Sequence, residues 1–127
     1  MNTHIKGRKN ENKVKDAYKN KYVNAYRSPN VRGGDNDIFN LWDLIIFDGF
    51  CAKLIQVKSN MSDIYKFKKN SDKWLRRYCL LPNSHEPNYI FIYELFAILP
   101  KGKVRKWVWN HSFMKWVEEL DVKKFYN

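Results

Sequence analysis

The sequence predicts an α/β domain with a mixed central β-sheet flanked by helices. Three observations lead there. Runs rich in β-branched and aromatic residues alternate with stretches of helical periodicity, in the order helix, three strands, helix, two strands, helix. A hairpin signal, "DGFC", separates two of the most apolar runs. The chain has 127 residues, 44% of them hydrophobic and 17% aromatic, which suits one domain and one core system.

Residues 4–20 read as a helix, with Val14 and Tyr18 on one stripe and lysines elsewhere. "YVNAYRS" (22–28) reads as a strand, and 29–40 as a long loop broken by Pro29, Gly33 and Gly34. Loops of that length in compact domains often serve function. "LWDLIIF" (41–47) and "AKLIQVK" (52–58) read as a strand pair. Ser71 is placed to cap a helix running to about Leu81, with Trp74, Leu75, Tyr78 and Cys79 turned inward. "NYIFIYELFA" (88–97) reads as a buried strand and 103–110 as an alternating partner for it. A last helix over 112–120 is expected from the spacing of Phe113, Trp116, Val117 and Leu120.

Charge is the first pointer to function. Twenty-four Lys and Arg against thirteen Asp and Glu give +11, which favours a polyanionic partner. The excess is clustered. Lys6, Arg8, Lys9, Lys13, Lys15, Lys19, Lys21, Arg27 and Arg32 crowd the first quarter, against Glu11 and Asp16. Lys66, Lys68, Lys69, Lys73, Arg76 and Arg77 form a second group, and "KGKVRK" (101–106) a third. No run has the length of a membrane span, and no segment joins a basic face to a broad apolar one, so no membrane partner is expected. Cys51 and Cys79 are isolated, which fits a reducing cytoplasm. His4, His85 and His111 are scattered and give no support to histidine-based cleavage chemistry.

The sharpest local question is why Gln56 and Lys58 share one face of an apolar strand. Closing the 41–58 hairpin about Gly49–Phe50, or with an Asp48–Cys51 loop, sets opposite each other residues whose numbers sum to 99. Asp43 then faces Gln56, with Cβ atoms about 4.5–5.5 Å apart. A turn centred on Asp48–Gly49 would instead shift the pairing by two and leave Asp43 diagonal to Gln56 on the same face. A second carboxylate, Glu11, follows Gly7 and precedes Val14 and Tyr18 on the inward stripe of the first helix. Two carboxylates and an amide oxygen are hard ligands suited to magnesium. The alternative from chemistry alone is a buried Asp43–Lys58 salt bridge supporting the core.

Together these residues resemble the PD-(D/E)xK nuclease superfamily, and within it the archaeal-type Holliday junction resolvases. The resemblance runs through "KGRKNENKVKDAYKNKYVNAYRSPNVRGG", "WDLIIFDG" and "LIQVKSN", about the first half of the chain. It implies a restriction-endonuclease-like core of one helix, an antiparallel three-stranded unit, a crossover helix and a further strand. By resemblance, Glu11, Asp43 and Gln56 with the Val57 backbone carbonyl hold Mg2+, for which Mn2+ would substitute, and Lys58 is the motif lysine. Arg27 and Ser28 match the Arg-Ser at the loop edge, where resolvases contact DNA and assist catalysis. Lys6, Arg8, Lys9, Arg27, Arg32 and Lys69 are the expected DNA contacts. The resemblance implies a homodimeric endonuclease acting on branched or double-stranded DNA. Trp42 stands where the superfamily usually has Pro, and Gln56 where it usually has an acid. Other nucleases of the superfamily (nicking, repair or restriction type) and a non-catalytic nucleic-acid-binding module are the competing expectations.

Overall fold

The computed structural model describes residues 3–18, 24–27, 41–47, 51–78, 90–120 and 122. Helix α1 (Thr3–Tyr18) precedes strands β1 (Asn24–Arg27), β2 (Leu44–Phe47) and β3 (Cys51–Lys58). Helix α2 (Met61–Tyr78) crosses over to β4 (Ile90–Ile98), followed by β5 (Val104–Asn110) and β6 (Lys115–Glu119). All six strands form one mixed sheet in sequential order. The β3–β4 pair is parallel and the other four are antiparallel. A parallel pair needs a long connection, and α2 lies within it.

Alternation along β3 divides the core in two. Ile55 and Val57 pack with Val14 and Tyr18 of α1, and with Phe96, Ile98 and Val104. Leu54 packs with Ile64, Phe67 and Leu75 of α2, and with Leu95 and Trp107. The helices therefore cover opposite faces. On the α2 face Trp42 is fully buried, its ring 5.4 Å from Phe67, 5.8 Å from Trp74 and 5.3 Å from Tyr93.

Two expectations need correction. The second helix starts ten residues before Ser71. Its cap is Asn60, whose Oδ1 accepts the Asp63 N–H at 2.8 Å while its Nδ2 donates to Asp63 Oδ2 at 3.0 Å. Ser71 sits inside the helix on the stripe of Ile64, Phe67 and Leu75, fully buried, and its hydroxyl donates to the Phe67 carbonyl at 2.7 Å. A small hydroxyl at a core position interrupts the apolar period, which is why the first half of α2 does not read as a helix. Tyr78's side chain and Cys79 lie outside the description.

The segment 112–120 is mostly strand rather than helix. Phe113, Trp116, Val117 and Leu120 fit helical spacing, but cross-strand pairing with β5 wins. Trp109 meets Trp116 edge-on at 5.6 Å, Arg105 grips Glu118 at 2.7 Å, and Lys106 pairs with Glu119 at 2.8 Å. Phe113 and Leu120 end up exposed, at 71% and 88%. The β4–β5 hairpin turns on Lys101 and Gly102, with φ of 65° and 73°, a two-residue mirror-type turn. Among the described residues, no helix is long and apolar enough to cross a membrane.

These placements separate the two packing patterns experimentally. Trp42→Ala should lower unfolding free energy by about 3–5 kcal/mol, because its cavity would open among three aromatic rings. Leu120→Ala should change it by no more than about 0.5 kcal/mol, whereas the helical arrangement would make it a core truncation. Urea titration of both variants decides.

Candidate active site

The β2–β3 register pairs Leu44 with Ile55, Ile45 with Leu54, Ile46 with Lys53 and Phe47 with Ala52, as the hairpin closure predicts. Residues 48–50, which make the turn, lie outside the description. Beyond Leu44 the ladder shifts. The Asp43 N–H donates to the Ile55 carbonyl at 2.8 Å, and Asp43 Oδ2 accepts the Val57 N–H at 3.1 Å. Asp43 thus straddles Gln56 and sends its carboxylate along the seam between the strands. Gln56 Oε1 accepts the same Val57 N–H at 2.9 Å, while its Nε2 donates to the Leu41 carbonyl at 2.6 Å. Two oxygens from different strands therefore meet at one backbone amide, and both parent residues are buried.

Lys58 continues the Gln56 face and is half-buried. Among the described residues no carboxylate lies within ion-pair distance of it, so the Asp43–Lys58 salt bridge does not form. Gln56 and Lys58 instead open onto a recess of about 270 Å³ beside α2.

Glu11 is half-buried on α1, one turn before Val14, with a carboxylate oxygen 3.9 Å from where a Cβ on Gly7 would stand. Its helix covers the Ile55–Val57 face of β3, and among the described residues neither Gln56 nor Lys58 is bonded to it. Asp43 and Gln56 are brought together; Glu11 is not joined to Gln56 or Lys58. β1 ends at Arg27, whose backbone pairs with Leu44, the neighbour of Asp43. The side chains of Lys6 and Arg27, and all of Ser28, Arg32 and the 29–40 loop, lie outside the description. Arg8 and Lys9 are exposed on α1, where they line a groove with Asn12, Lys13 and Asp16, and Lys69 is exposed on α2.

Comparisons with protein-family models, curated proteins and solved structures return no match. Chemistry and geometry therefore carry the assignment. The donor set fits a hard cation in kind: Asp43 offers a carboxylate and Gln56 an amide oxygen, both convergent on the Val57 amide. Among the described residues no three His, Cys, Asp or Glu gather in a metal-binding group.

Sequence reasoning missed a second buried charge, Glu94, 2% exposed on the α1 face of β4. Tyr18 donates to its Oε1 at 2.5 Å, and Lys53 and Lys106 approach its Oε2 at 3.4 and 3.2 Å. Lys106 is itself buried and also meets Glu119. The signal was present: one acid inside "NYIFIYELFA", the same anomaly that singles out Asp43. This cluster ties the C-terminal end of α1 to the sheet.

Burial, then the Glu94 charge and the hydrogen bond to it, raise the Tyr18 hydroxyl above its ordinary 10.0. An unfolded chain gives up this proton above about pH 10 and the native chain keeps it. The linked stability is therefore fully present below pH 10 and falls as pH rises beyond it, by up to about 1.4 kcal/mol per unit. Urea unfolding between pH 9 and 11 should show a steeper loss in the wild type than in Tyr18→Phe. Equal slopes would place Tyr18 in water.

Proposed function

We propose that this protein is a magnesium-dependent DNA endonuclease with a restriction-endonuclease-like core, hydrolysing phosphodiesters in branched DNA such as four-way junctions. The observation that carries the proposal is the meeting of Asp43 Oδ2 and Gln56 Oε1 at the Val57 amide, next to a Lys58 with no carboxylate partner among the described residues. Among the described residues no carboxylate competes for the Lys58 ammonium, and a phosphate would supply its counter-charge. The order of elements gives further support: helix, three antiparallel strands, crossover helix, and a strand parallel to the third. The net charge of +11 and the exposed Arg8, Lys9 and Lys69 supply affinity for the backbone.

In this reading Asp43 and Gln56 would hold the ion through their side-chain oxygens, with the Val57 carbonyl. Among the described residues Glu11 is not joined to Gln56 or Lys58, and its place as a further ligand rests on the resemblance alone. When bound, magnesium supplies positive charge against a phosphate oxygen and makes water more acidic. Lys58 Nζ orients the attacking water by hydrogen bonding and offsets the negative charge that grows on the phosphate. By the resemblance, Arg27, the last residue of β1, and Ser28, the next in sequence, would act on the same phosphate. Two copies would present two such sites to symmetrically related strands.

One observation favours a binding-only module instead. Gln56 is engaged structurally, bridging Leu41 and Val57, and a site with one carboxylate fewer holds metal less firmly. Cleavage of a four-way junction with magnesium, absent in EDTA, separates the two readings. Lys58→Ala and Asp43→Asn should each abolish cleavage while junction affinity stays within several-fold of wild type; retained cutting by either removes the site assignment.

Gln56→Glu probes the same point thermodynamically. Without metal, its carboxylate would face the Leu41 carbonyl and lose a donor, at a cost of about 1–3 kcal/mol. Magnesium should then raise the melting temperature of the variant more than that of the wild type, and lower the concentration needed for half-maximal rate. Identical magnesium responses would place residue 56 outside the coordination sphere.

A further inference from the structure

The recess beside Lys58 has a second wall whose residues have no part in the proposed chemistry. Asp63, Lys66, Phe67 and Asn70 line it from α2, at the spacing of a single helix face. Lys66 and Asn70 are exposed, and the buried Phe67 offers an apolar surface between them. Among the described residues Lys66, like Lys58, has no carboxylate within ion-pair distance. Asp63 is engaged by Asn60 through two hydrogen bonds at the helix start. Two ammonium groups and one carboxylate leave the recess positive, with an amide donor one turn beyond Lys66. A volume of about 270 Å³ is at the low end for ligand sites and suits a compact anion rather than a base.

We propose that this recess is a phosphate subsite, in which Lys66 and Asn70 hold the DNA phosphate adjoining the one that Lys58 faces. The proposal rests on the nuclease reading for the identity of the anion and adds a role for α2. Lys66 Nζ supplies a charge-assisted hydrogen bond and Asn70 Nδ2 a neutral one, while Phe67, buried against Trp42, fixes the helix face that carries both. Held at two successive phosphates, the strand cannot pivot about the reacting one, so Lys66 and Asn70 are positioning residues.

The test pairs protein and DNA changes. A four-way junction carries one neutral methylphosphonate, placed in turn at each position across the branch point. Its affinity is measured with calcium replacing magnesium, for wild type, Lys66→Ala, Lys66→Arg, Asn70→Ala and Lys73→Ala. At one position neutralisation should weaken the wild type and Lys66→Arg about tenfold, yet leave Lys66→Ala unchanged. Asn70→Ala should show a smaller coupling at that position, and Lys73→Ala the full wild-type loss. Losses that simply add for Lys66→Ala at every position overturn the subsite. Because this readout is binding, it is independent of turnover. A wild type that shows the coupling but never cuts with magnesium retains the subsite and loses the nuclease reading.

Discussion

The pairing of β2 with β3 is the constraint on which the other features depend. Because side chains alternate along a strand, a slip of one residue would carry Ile55 and Val57 to α2 and Gln56 and Lys58 beneath α1. Apolar burial on both faces prevents that slip: Leu44 and Ile46 belong with α1, and Leu54 with α2. With the register held, the departure at Asp43 becomes possible. The strand leaves the ladder where Trp42 is locked among three aromatic rings, and the Asp43 carboxylate takes over as acceptor for the Val57 amide. Trp42 makes no polar contribution of its own to the site; its burial fixes the backbone beside the carboxylate.

The two faces solve the problem of buried charge differently. On the α1 side Glu94 is surrounded by a hydroxyl and two ammonium groups, and Lys106 is shared with Glu119. Such a cluster is locally compensated, and removing one member would leave the others buried without counter-charge. On the α2 side Lys58 has no such compensation among the described residues, although it is partly withdrawn from water. One sheet thus carries a balanced charge cluster on one face and an unbalanced one on the other. Balance suits a structural tie, and imbalance suits an anion that comes and goes.

Much of this was legible in the residues. The hairpin register followed from loop arithmetic as far as Leu44 with Ile55; Asp43 then meets Gln56 by leaving the ladder, not as its cross-strand partner. What escaped was of two kinds. At Ser71 and in 112–120, local pattern misled: a hydroxyl bonded within its own helix hid a core stripe, and a helical spacing was overruled by the cross-strand contacts of Trp109, Arg105 and Lys106. The Glu94 cluster instead depends on residues distant in sequence, Tyr18 with Glu94, and the α2 wall of the recess on how the turn after β3 aims α2 back along Lys58. No periodicity reports such meetings.

The connections also give the two halves of the sheet different histories during folding. β4, β5 and β6 are joined by short turns, so each pairing closes a small loop. The seam between β3 and β4 joins Leu54 to Tyr93 and must enclose all of α2. Loop-closure entropy makes the C-terminal meander the cheaper unit to assemble and the parallel seam the slower one. Gln56 and Lys58 stand on that slow seam. The half of the sheet that carries Gln56 and Lys58 is therefore completed against a template that the other half provides.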